Sequence, residues 1–307
     1  MTNRGFLYTV LLSLISTVAF AQKIPVQEDM ARLAAMEDTL AVYADSMYKA
    51  AFPDEKSNYC VKFVKTLKRA LEVRGSFGYP FDKIKDKVHI IIPDDKNFRI
   101  FNWVLTVDEF RRRYYGAIQM NTEDGSLKLY PLTDASESME LNGEMQQVTA
   151  KEWYGCEYYR VLSGTNGNGE KIYTLFGYNN NGSYSTKKLL DALMFTENGP
   201  VFGWPVFAIA DDRDRLEGSP LKKRFILEYK KKATIALNYD ETKKMILFDR
   251  LMSEINDPKR KNTMVPSGQT DAFEWRNGVW VYNPEPVRVL KLEDGQAPIN
   301  GVMPGGK

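Results

Sequence analysis

Four large aromatic side chains, Phe273, Trp275, Trp280 and Tyr282, lie within the stretch FEWRNGVWVY, and Asn277-Gly278 divides them into two pairs. Asn-Gly favours a two-residue turn, which sets Arg276 opposite Val279, Trp275 opposite Trp280, Glu274 opposite Val281 and Phe273 opposite Tyr282. Side chains alternate along a strand, so the four rings share one face while Glu274, Arg276 and two valines take the other. Buried, such a ladder supplies several kcal/mol of core. Exposed, it stacks sugar rings, because an apolar patch of that size marks a binding surface. The mixed opposite face is that of a sheet half in water, so core is the expectation and a glycan platform the alternative.

Carboxylates are the other groups with chemistry to offer. A glycosidase needs only two of them roughly 5–10 Å apart. Asp94-Asp95, Asp211-Asp212 with Asp214, and Asp249, Asp271 and Glu274 are available, but none has diagnostic spacing. Asp94 and Asp95 are expected to shape the turn before FRIFNW, and Asp211 to Asp214 a solvated loop. The single histidine, His89, lies in the apolar stretch VHIII, and no G-x-S-x-G elbow accompanies it. It reads as a buried or edge-strand residue. One histidine and two distant cysteines make no conventional zinc site. Asn179-Asn180-Asn181-Gly182 lacks the carboxylates of a calcium loop and reads as a turn. With no glycine-rich phosphate loop opening a helix, neither metal nor cofactor is expected.

The compartment is written at the start. Arg4 precedes an uncharged apolar run from Phe6 to Phe20, and Ala19-Phe20-Ala21 offers the small-x-small pattern of a signal-peptidase site. Cleavage after Ala21 makes Gln22 the mature N-terminus, and the run is shorter than a bilayer span. The 42 basic and 40 acidic residues nearly balance, so neither nucleic acid nor an anionic membrane is implied. Three basic runs, Arg111 to Arg113, Lys222 to Arg224 and Lys230 to Lys232, adjoin strand-like stretches and read as solvated guards against edge-to-edge pairing. Cys60 and Cys156 follow the signal into a compartment that permits disulfides, and are either bridged to one another or separately buried thiols.

These residues need elements to hold them. Leu33, Met36, Leu40, Tyr43, Met47 and Ala50 recur at spacings of three and four before Pro53, and Cys60, Phe63, Val64, Leu67 and Leu71 repeat the pattern. The spacing predicts a helical hairpin over residues 22–78. From Val88 the period falls to two, giving about ten strands in an antiparallel β domain, sandwich or barrel-like, over residues 79–290. Asp124-Gly125 is expected to turn one hairpin, with Ile118 and Met120 on the face of Leu127 and Leu129. LLDALMF reads as the one helix there, Leu189 and Leu193 standing a turn apart. Residues 291–307, rich in Gly and Pro, read as a flexible tail. The class is therefore mainly β (α+β).

The stretches YPFDKI, PDDKNFRIFNWVL, YYGAIQMN, KEWYGCEYYRVL, YTLFGYNNN, ENGPVFGWPVF, KKRFILEYKKKATIALNYDETKKMILFDRL and TDAFEWRNGVWVY span residues 79–283. Together they resemble a family of exported Gram-negative envelope proteins with no assigned activity. The resemblance implies a signal peptide, a variable helical start, this strand order and a place in the bacterial envelope. The family pattern has Asp at the position of Asn179, His at that of Arg250, and Gly-Pro-Asp near Ser267; those departures weaken a metal or catalytic role for these loops. The expectation is a periplasmic or secreted, non-catalytic envelope protein with a binding or structural role, its ligand open and a glycan or another envelope protein the candidates. A hydrolase using paired carboxylates, or an assembly factor docking a partner through an exposed Leu33-Leu40-Met47 stripe, are the alternatives.

Overall fold

The computed structural model describes residues 27–108, 111–180, 182–209, 220–284 and 286; the residues read as a signal peptide, Asn181, the Asp211 to Asp214 stretch and the residues read as a tail lie outside them. The hairpin forms as α1 (Gln27–Lys49) and α2 (Pro53–Leu71). Pro53 opens α2 with Asp54 and Glu55 in its first turn, where a fixed φ and negative charge both suit a helix start. Leu33, Leu40 and Met47 are fully buried against the protein's own sheet. The stripe that a docking factor would expose is core.

Four strands follow, β1 (His89–Ile91), β2 (Phe98–Thr106), β3 (Arg112–Met120) and β4 (Leu129–Thr133), in an antiparallel sheet of that order. A second sheet has the order β5-β9-β8-β7-β6, formed by β5 (Val148–Thr149), β6 (Glu157–Thr165), β7 (Lys171–Asn179), β8 (Ser185–Thr196) and β9 (Gly199–Phe202). The strand β10 (Phe207–Ala208) leaves for the third sheet, while β11 (Arg224–Lys230) returns to pair with β8. The third sheet runs β10-β15-β14-β13-β12, completed by β12 (Leu237–Asp240), β13 (Met245–Ser253), β14 (Met264–Arg276) and β15 (Val279–Asn283), with β10 parallel to β15.

Alternation along the strands stacks these layers. In β2, Phe101, Trp103 and Leu105 face the helices, while Phe98 and Ile100 face the second sheet. In β7, Tyr173 and Leu175 face the first sheet, and Ile172 and Phe176 the third. The order is helices, sheet, sheet, sheet. The protein is mainly β with antiparallel sheets behind an N-terminal helical hairpin.

Two local expectations are corrected. LLDALMF lies in β8, not a helix. Leu189 and Leu193 face one core, Leu190 and Ala192 the other, and a strand buried on both faces loses the polar alternation that identifies strands. The hairpin at Asp124-Gly125 is one residue longer than a two-residue turn. The Gly125 N–H bonds the Thr122 carbonyl, and Gly125 has φ 72°, as three-residue loops with a left-handed glycine require. Gln119 therefore pairs with Leu129 and Ile118 with Tyr130. A one-residue shift exchanges faces, so Leu127 and Leu129 turn to the helices while Ile118 and Met120 look to the second sheet.

Candidate functional site

The aromatic hairpin has the expected register, Phe273 against Tyr282 and Trp275 against Trp280. Asn277 and Gly278 both have positive φ, 50° and 83°, the geometry of the turn that Asn-Gly favours. Gly278 is required twice over, because a Cβ there would stand 2.4 Å from the Gly167 nitrogen. The rings are not equivalent. Phe273 and Trp280 are buried between the second and third sheets, and the Trp280 indole N–H donates to the Thr174 hydroxyl at 2.8 Å. Trp275 and Tyr282 are half-buried at the rim. Tyr282 is tied down by donating to Asp271 at 2.9 Å. Trp275 meets Trp280 edge-on at 4.9 Å and lies against Gly164, where a Cβ would be 3.2 Å from its ring.

Beside Trp275 the two sheets part around a cleft of about 230 Å³. Leu162, Ser163 and Gly164 of β6 form one wall; Tyr239, Glu241 and Lys244 form the other, and Asp94 stands at the mouth. The Asp240 carboxylate accepts the Thr242 and Lys243 N–H groups at 2.9 Å, and Lys244 closes the turn at φ 56°, which presents Glu241 and Lys244 to solvent. Arg160 pairs with Glu241 and lies 5.3 Å from the Tyr239 ring centre, while Lys244 stands 3.5 Å from Glu241. The cleft thus offers two indoles, of which only that of Trp275 is half-exposed, one phenol ring, two carboxylates and the Lys244 ammonium, with Arg160 held beside it by Glu241. Sequence reading finds the tryptophans and Asp94 only. Tyr239, Glu241 and Lys244 come from β12 and the turn after it in the third sheet and Arg160 from β6 of the second, and nothing local in the chain announces that the two segments meet.

The other sequence candidates hold structure together. Asp95 accepts the Tyr173 hydroxyl and the Asn97 amide at 2.9 Å, fixing the turn before β2. Asp249 receives the Ala236 N–H at 2.7 Å. Asp271 is buried under Arg250, whose Nη2 and Nε donate to it at 2.6 and 2.9 Å, and Arg250 also reaches the Pro284 carbonyl. Glu274 pairs with Arg276 on the outer face. Asn179 is buried and donates to the Gly155 carbonyl. His89 is exposed on edge strand β1, 3.7 Å from Glu157, with desolvation lowering its pKa. Among the described residues no group of three or more His, Cys, Asp or Glu is placed to hold a metal, and no helix is long and apolar enough to cross a membrane.

One open alternative is resolved and one further expectation changes. Cys60 and Cys156 are free thiols in different cores, one beneath the helices and one between the first two sheets. Burial raises both thiol pKa values, which keeps them protonated and unreactive. Arg224, the last residue of a run read as solvated, is wholly buried. It lies opposite Asp191 across β11 and β8, its Nε 3.0 Å from the carboxylate, with the Tyr154 ring 5.0 Å away. Asp191 also accepts the Tyr158 hydroxyl and the Gly203 N–H at 3.1 Å. Comparison of the chain with protein-family models, curated proteins and solved structures finds no match.

Proposed function

We propose that this chain is an exported, non-catalytic protein of the bacterial envelope that binds a glycan in the cleft beside Trp275. The observation that carries the reading is the division of the aromatic hairpin: Phe273 and Trp280 are spent on the core, whereas Trp275 remains half-exposed over a cleft edged by exposed carboxylates and a lysine. An indole face beside hydrogen-bonding charged groups suits a sugar ring, apolar on its C–H face and polar at its rim. Catalysis by paired carboxylates has less support. A carboxyl that donates a proton near neutral pH needs a dry site, yet Asp94 and Glu241 are exposed and Glu241 is paired with Arg160. Export is supported by the pattern ending at Ala21-Gln22 and by the resemblance over residues 79–283. Affinity electrophoresis through gels carrying soluble glycans tests the reading. The parent should be retarded by at least one glycan, and Trp275→Ala should run as if none were present. Equal retardation of the two proteins would refute it.

A further inference from the structure

The helical hairpin leaves part of the first sheet's outer face uncovered. Leu67 and Leu71 of α2 pack down beside Trp103, and Leu129 and Pro131 of edge strand β4 line the other side of the gap. Between α2 and β4 runs a groove of about 190 Å³, floored by Trp103, Tyr115 and Ala117. Its lining is almost entirely carbon. The exception is Lys68, exposed at the rim, whose ammonium has Glu72 at 3.6 Å as its nearest charge.

Two features indicate what would lie there. Along the exposed side of α2, Val61 and Val64 alternate with Lys62, Lys65, Lys68 and Arg69, so the groove opens onto a surface that is both apolar and cationic. The Trp103 ring at the floor is 2% exposed and stacked on Tyr115 at 5.6 Å, which makes the base of the groove rigid and apolar. The volume is below the ~300–1,000 Å³ of sites for drug-sized ligands, which favours one short chain over a two-chain lipid.

We propose that the groove between α2 and β4 binds a free medium-chain fatty acid, its hydrocarbon between Val64, Leu71 and Leu129 and its carboxylate on Lys68. This site is separate from the glycan cleft and does not depend on it. Calorimetric titration with hexanoate, octanoate and decanoate is the test. Saturable one-to-one binding is expected, tightening about fourfold per added methylene while the groove has room. Lys68→Glu should weaken octanoate about fivefold, the scale of one exposed ion pair, and leave octanol within about twofold. Leu129→Trp fills the groove from its half-exposed edge and should abolish both, with its unfolding midpoint checking that the fold is kept. Trp275→Ala should bind octanoate like the parent. No saturable binding at any chain length, octanoate binding unchanged by Lys68→Glu, or binding to phosphatidylglycerol vesicles without binding to octanoate would each overturn the proposal.

Discussion

Arg224 and Asp191 show how far a residue's role can stand from its local sequence. After two lysines Arg224 looks solvated, but its place in β11 turns it inward opposite a carboxylate contributed by β8. The ordering of Tyr158 depends on the same carboxylate, and the Trp153 indole donates in turn to Tyr158 at 2.9 Å. Burial and the neighbouring Asp191 charge hold the Tyr158 phenol well above its usual pKa. Arg224→Met would leave Asp191 buried without its counter-charge, and chemical denaturation should register a loss of about 3–5 kcal/mol. Replacing both as Arg224→Met/Asp191→Leu should recover much of it, because two apolar groups need no desolvation. None of this was legible in one dimension. Cross-strand partners follow from register, and register here depends on which segment returns to β8. By contrast, Asn277-Gly278 specifies its own turn, and the register of the last hairpin could be read from it.

Elements were legible in proportion to how much water they see. Each helix has one buried face, so its apolar residues recur with the helical period. Leu40→Ala should therefore lower stability by about 2–5 kcal/mol in thermal or urea unfolding, since that side chain is wholly buried beneath the sheet. Docking through this stripe would predict almost no change. The interior strand β8 is the opposite case, because burial on both faces removes the polar half of the pattern. The short strands β5, β9 and β10 carry too few residues to show any period and form only against longer partners. The turn at Gly125 shows a finer limit: Asp124-Gly125 announces a turn, but its three-residue length is set by Gly125 taking the left-handed conformation at the loop's last position.

At the scale of the molecule, two central sheets covered on both sides explain an interior rich in tyrosine. Burial raises the phenol pKa values of Tyr114, Tyr154 and Tyr159 far above 10, and burial with Asp95 or Asp271 nearby brings Tyr173 and Tyr282 to about 12. Below pH 10 folded and unfolded chains alike keep these protons. Above it the unfolded chain loses protons that the folded chain retains, so stability falls as the pH rises from 10 towards 12. Arg99, buried among Phe77, Phe81 and Phe101 with its pKa lowered by desolvation, donates to the Gln119 side chain and to two carbonyls, and as a guanidinium it stays protonated and leaves this pH dependence to the tyrosines. The phenolate absorbance of the buried tyrosines should therefore appear together with the loss of circular dichroism above pH 10; a chain that ionises all of its tyrosines while it stays folded would contradict their burial.

The central claim is that one aromatic hairpin serves two ends, its inner half as core between the second and third sheets and its outer half as the wall of a cleft. Urea unfolding of Trp280→Ala, Trp275→Ala and Arg276→Ala beside the parent tests it most directly. Trp280 is 4% exposed and bonded to Thr174, so its loss should cost roughly 3–5 kcal/mol. Arg276→Ala, which removes an exposed side chain, should stay within about 0.5 kcal/mol of the parent. Trp275→Ala should fall between them, remain folded and keep the slope of the parent transition. Equal midpoints for Trp280→Ala and the parent, or a Trp275→Ala chain as unstable as Trp280→Ala, would contradict the division of the hairpin into core and cleft.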